Sequence, residues 1–301
     1  MANPLILLPD FLLILIGWIV CRRTSLDRTV WDAAERLVYY LLFPVLLFNS
    51  IVRSPLQPAQ ALSLAVAGLG TTLGGIALAH ALRLVPGVDA RLHASGAQTV
   101  FRFNSFIALA LSERLGGPAG LAWMALLIAL SVPLANVAAV WPLARHGGHS
   151  YARELLRNPL ILSTIAGLLA NIGGLQLPEA VTTTLQRIGV AALPVGLMAV
   201  GAGLQFGRLK ASPGLAAALL GLRHAAMPML ALLLSTALAL PAGQRAIVLL
   251  FAALPTASSA YVLAARMGGD GGFVAGLVTV STLLGMATIP FWLALLGLLP
   301  R

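Results

Sequence analysis

The sequence predicts an all-α polytopic membrane protein: ten transmembrane helices, arranged as two inverted five-helix repeats with broken crossing helices at spans four and nine. Three observations lead there. The 301 residues are 59% hydrophobic and 9% charged, with a mean hydropathy of +0.94, where a soluble domain carries about 25% charged residues. Apolar stretches close to the ~20 residues that cross a bilayer recur along the whole chain. Their cationic flanks also alternate in phase. Such a composition excludes a soluble enzyme, a nucleic-acid binder and a disordered chain, and the lack of long alternating strand patterns argues against a barrel.

The stretches run over 4–21, 37–53, 60–82, 94–113, 118–144, 157–177, 181–206, 213–240, 244–267 and 271–299. No Lys or Arg precedes the first, and Arg22-Arg23 follow it in place of a small-residue cleavage site, so it reads as a retained span rather than a signal peptide. Connections after odd-numbered spans hold twelve cations: Arg22, Arg23, Arg28, Arg36, Arg83, Arg91, Arg145, Arg153, Arg157, Arg208, Lys210 and Arg266. The other side holds five, namely Arg53, Arg114, Arg187, Arg245 and Arg301. Cations gather in cytoplasmic loops, which puts both termini on the outer face of what is expected to be a bacterial inner membrane. The net charge of +10 is thereby absorbed by topology. The single cysteine, Cys21, excludes an internal disulfide.

A weak internal repeat divides the chain into 1–146 and 147–301. Pro44-Val45 of span two aligns with Pro194-Val195 of span seven, and 103–117 aligns with 255–269 through Ala108/Ala260, Leu111/Leu263, Arg114/Arg266, Gly116/Gly268 and Gly117/Gly269. Five spans per half forces the second half to be inverted relative to the first. Inverted repeats with interrupted helices are an architecture of secondary transporters, whose substrate sites lie near the midplane.

The polar residues concentrate in spans four and nine. Span four contains Arg102, Asn104 and Ser105, and span nine reads Leu254-Pro255-Thr256-Ala257-Ser258-Ser259. A mid-helix proline removes a backbone hydrogen bond, and hydroxyls next to it can take the vacated partners. Unwound backbone at membrane depth survives only when buried or lining a cavity. Two half-helix N-termini are expected there, offering N–H groups to an anion. Arg102 lies near mid-depth, where a cation costs about 2.5–3.5 kcal/mol on insertion scales. Arg223, beside His224 and ahead of Pro228, has similar depth in a less polar setting. With no Asp or Glu in the broken segments, the positive charge points to a small carboxylate. Asn49 and Asn136 are polar at depths where they either line a cavity or bond a neighbouring helix. His146-Gly-Gly-His149 has no third ligand, so neither a metal nor a cofactor is expected.

At these residues the chain resembles the auxin efflux carrier family, which includes plant PIN carriers and bacterial permeases for malonate and other small acids. The resemblance rests on Leu42-Phe43-Pro44-Val45-Leu46-Leu47-Phe48, on Phe101-Arg102-Phe103-Asn104-Ser105-Phe106-Ile107, and on Arg157-Asn158-Pro159-Leu160-Ile161. Leu254-Pro255 through Tyr261-Val262-Leu263-Ala264 and Gly268 complete it. It implies scaffold and transport domains drawn from both halves, an elevator-like motion and frequent homodimers. It puts Asn104 and Pro255 to Ser259 at the crossing and Asn49 near the cavity. One departure is local: Ala108-Leu109-Ala110 stand where plant members often carry a proline.

The reading is a secondary transporter of a small mono- or dicarboxylate, malonate- or auxin-like. Arg102, Asn104, Ser105, Pro255, Thr256, Ser258, Ser259, Asn49 and Asn136 are its substrate-binding candidates. A sodium-coupled symporter of the bile-acid carrier type is the alternative within transport. A membrane-embedded enzyme or sensor would need a catalytic cluster or an appended domain.

Overall fold

The computed structural model describes residues 8–53, 58–143, 159–205, 209–257 and 259–298. It is all-helical, and among the described residues extended backbone pairs only at one isolated antiparallel bridge, Phe103 with Thr256. Twelve helical segments follow in order: α1 (Leu8–Arg23), α2 (Arg28–Val52, with a π turn at Val38–Leu42), α3 (Pro58–Ala81), α4 (Ala90–Gly96), α5 (Gln98–Phe101) and α6 (Ser105–Leu143). The chain continues through α7 (Pro159–Ile172), α8 (Glu179–Ala202), α9 (Pro213–Ala237, with a π turn at Leu222–Ala226), α10 (Ala242–Ala253), α11 (Ser259–Arg266) and α12 (Gly271–Leu298).

Six of the described helices are long and apolar enough to cross a membrane, and α7 and α10 are shorter apolar ones. Large side chains such as Leu62, Leu169, Ile172, Val190, Leu233 and Phe291 face outward. In water they would be an aggregation liability, whereas in a bilayer lipid is their solvent.

Two boundaries differ from the sequence expectation in ways that matter below. The second span was expected from residue 37 but the helix begins at Arg28, because Asp27 Oδ1 accepts the Thr29 and Val30 N–H groups and caps a turn that looked like charged loop. Arg28 then bridges Asp32 at 2.8 Å and Glu35 at 2.9 Å along the added turns. The fourth and fifth spans join without a loop. Gly117 takes φ 56° and ψ −148° inside α6, a conformation that side-chain-bearing residues resist, and it folds the helix into two arms.

Packing gathers the helices into two groups. In one, α1 lies on α8, and the C-terminal half of α2 lies on α7 and α8; in the other, α3, α9, α10 and α12 pack together with α6, which also packs against α2, α7 and α8 and so joins the two. The α1–α8 contact is backbone-close. A Cβ added to Gly17 would run into the Met198 carbonyl, and one added to Gly201 into the Ile14 carbonyl. Small residues at such crossings let helix backbones approach where lipid supplies no hydrophobic drive. Gly201→Leu is therefore expected to lower the apparent melting temperature in detergent, by the equivalent of about 1–3 kcal/mol of overpacking, and Gly214→Leu, which meets open space, to leave it near wild type. Asp10, 5% exposed on α1, also pairs with Arg114 on α6 at 3.3 Å, so an ion pair spans the two groups.

Candidate functional site

Both breaks expected from the polar residues are present, and they meet. Leu254 leaves helical backbone at φ −55°, ψ 147°, the extended region that a following proline favours. Arg102 is likewise extended at φ −84°, ψ 133°. The two extended segments pair antiparallel: the Asn104 N–H donates to the Pro255 carbonyl at 2.9 Å, and the Ala257 N–H to the Arg102 carbonyl at 3.3 Å. The Thr256 hydroxyl adds a second bond to that carbonyl, at 3.1 Å, and the Thr256 N–H is taken by Ser281 Oγ at 3.0 Å. Span four breaks without a proline because its unwound groups find partners in span nine, and Asn104 starts the next helix. The Asn104 Oδ1 accepts the N–H groups of Phe106 at 3.0 Å and Ile107 at 3.2 Å, an N-cap.

The two arginines within the membrane have different work. Arg223 is 1% exposed and its guanidinium donates to backbone carbonyls of both broken helices: Val100 at 2.8 Å, Leu254 at 2.5 Å and Phe251 at 3.5 Å. These carbonyls belong to the C-terminal ends of α5 and α10, the negative poles of two helix dipoles. Arg223 thus ties together the ends that lead into the crossing. It does not line the chambers described next.

Arg102 does. Its Nη1 donates to Gln98 Oε1 at 2.8 Å and its Nη2 to Ser259 Oγ at 3.1 Å, while Gln98 Nε2 donates to the Ser95 and Ala260 carbonyls. A guanidinium carries five N–H donors, and an arm held at two of them presents the rest in a fixed direction. An inner chamber of about 150 Å³ is lined by Arg102, Phe103, Ser105, Asn136, Ser259 and Tyr39 among others. A middle chamber of about 190 Å³ shares Tyr39, Phe103, Ser105 and Ser259 and adds Asn104 and Glu35. An outer, open chamber of about 460 Å³ is lined by Asp32, Glu35, Arg36, Tyr39, Tyr40 and Phe106. The inner two lie where the packing groups meet: Tyr39 and Leu160 come from one, the crossing and α6 from the other. The first residues of α6 and α11, Ser105 and Ser259, are on the wall.

Of the sequence candidates, Arg102, Ser105, Asn136 and Ser259 line the inner chamber and Asn104 the middle one. Pro255 and Thr256 supply crossing backbone. Asn49 is buried on the C-terminal half of α2 and is not among the lining residues of these chambers. Ser258 lies outside the described residues. Glu35 was missed because the helical start at Arg28 was read as loop; Asp27 followed by a period of apolar residues at Val30, Trp31 and Ala34 was the available signal. Tyr39 lay inside the expected second span but was not singled out as a lining residue. Among the described residues no three His, Cys, Asp or Glu side chains come together to hold a metal ion.

Long apolar helices, with two broken segments crossing beside a polar chamber, define a multi-pass membrane protein. The model of the membrane transport protein family matches residues 143–293, and the chain belongs to that family, the auxin efflux carriers. A proposed malonate transporter of Rhizobium meliloti (strain 1021) is 27% identical over 319 residues, covering 98% of this chain and 97% of the relative. An uncharacterized transporter of Methanothermobacter thermautotrophicus is 26% identical over 300 residues, covering 97% and 98%.

Proposed function

We propose that this protein is a secondary transporter that carries a small organic anion across a bacterial inner membrane by an elevator-type exchange of access. One observation carries the reading: Arg102, flanked by the starts of α6 and α11, lines a chamber where two helix groups meet. Cation, hydroxyls and helix N-termini converge there on a volume that suits a carboxylate. The name of the Rhizobium relative points to the same class of substrate.

In this reading ten spans form two inverted repeats, 1–146 and 147–301, with both termini outside. The group of α1, α2, α7 and α8 is the scaffold, and the group holding the crossing moves. A ligand held wholly on the crossing, with Tyr39 and Leu160 opposite, travels with the moving group when that boundary slides. The cations Arg22, Arg23, Arg28 and Arg36 at the α1–α2 turn support a cytoplasmic position for the outer chamber, and in this reading the arrangement faces inward. The Asp10–Arg114 pair closes the other side and breaks when the groups move. Asn104 orients the start of α6, Ser105 and Ser259 hydrogen-bond the carboxylate, and Asn136 meets the rest of the ligand.

The test is uptake of radiolabelled acetate, lactate and malonate into sealed liposomes containing only this protein. Saturable uptake of at least one acid above protein-free vesicles is the expected result, and none for any of them refutes the proposal.

A further inference from the structure

The chambers have a carboxylate as well as a cation in their walls, on two adjoining spaces with much of their lining in common. Arg102 lines the inner chamber, whose lining has no acid. Glu35 lines the middle chamber, whose lining has no base, and both chambers share Tyr39, Phe103, Ser105, Leu160, Ala257 and Ser259. Arg28, which is not among the lining residues of these chambers, bonds Glu35 at 2.9 Å but also serves Asp32 at 2.8 Å through the same nitrogen. One guanidinium shared by two carboxylates leaves a negative unit there. Arg36, which could offset it, lines only the outer chamber.

The remaining inner wall is neutral: Val132, Ala135, Leu160 and the Asn136 amide. One carboxylate of a ligand pairs with Arg102. A second finds no other cation among the described lining residues, and in a chamber of about 150 Å³, a volume that holds roughly one benzene-sized molecule, it is pushed toward the adjoining chamber that Glu35 lines. A desolvated, unpaired charge is costly, and a like charge beside it adds to the cost.

We infer that the site takes short organic acids of single charge, and that Glu35 is the specificity-determining residue that disfavours doubly charged ones. This rests on the organic-anion reading above and narrows it. Malonate carries two charges at neutral pH and malonamate, its monoamide, carries one in nearly the same shape; succinate and succinamate form a second such pair. Titration calorimetry of the purified full chain with all four measures the discrimination directly. Malonamate is expected to bind about tenfold tighter than malonate, the order of effect that one like charge several ångströms away has at a protein's effective dielectric constant. Glu35→Gln brings that ratio close to one by tightening malonate. Malonate binding as tightly as malonamate to the wild type overturns the inference, and so does a ratio unchanged by Glu35→Gln. The wild-type ratio stands without any variant, so a misfolded Glu35→Gln leaves a decisive measurement. Failure of all four acids to bind instead refutes the organic-anion reading itself.

Discussion

Arg223→Met is expected to be the most destabilising single change near the crossing. Met fills much of the same space but donates nothing, so the carbonyls of Val100, Phe251 and Leu254 lose their partner inside the membrane. An orphaned buried carbonyl costs about 1–3 kcal/mol, and here several lose a partner at once. Loss of the monodisperse peak in detergent, or a drop of many degrees in apparent melting temperature, is the expected readout. Arg223→Lys keeps the charge and reaches fewer carbonyls, so it should fall between. A melting temperature for Arg223→Met within a degree of wild type would remove the tie between the two helix ends.

Arg102→Gln should do the opposite, leaving the fold and removing the function. Arg102 is not fully buried, its bonds to Gln98 and Ser259 are side chain to side chain, and the crossing itself is closed by backbone. A charge-assisted hydrogen bond contributes about 1.5–3 kcal/mol, so uptake at low substrate concentration should fall roughly 10- to 100-fold. The melting temperature without ligand should barely change. Arg102→Lys retains a point charge without the fork and should recover part of the uptake.

The sequence foretold these features unevenly, for physical reasons. The break in span nine was visible because Pro255 cannot donate and its Thr and Ser neighbours offer replacement partners. The break in span four rested on the cluster of Arg102, Asn104 and Ser105 alone. Its stability comes from the backbone of Pro255 and Thr256, some 150 residues away, which no local pattern records. Arg102 and Arg223 looked alike as cations at mid-depth. One is held by Gln98 and Ser259 side chains beside a chamber, the other by carbonyls, and backbone carbonyls leave no mark in a sequence. Asn49 and Asn136 were likewise indistinguishable until the packing of α2 and α6 put only Asn136 on the chamber wall. Glu35 was overlooked for a different reason. Charged residues near a membrane edge read as loop, and only the Asp27 cap and the Arg28 ion pairs make 28–36 a continuation of the span.

The central claim is that the crossing binds the transported anion through Arg102. Equilibrium binding of a radiolabelled acid taken up by the reconstituted wild type, measured on purified wild type and Arg102→Gln with melting followed in parallel, tests it most directly. Saturable binding to the wild type, and its loss in a variant that melts at the same temperature, is the predicted result. Wild-type affinity in Arg102→Gln would contradict it.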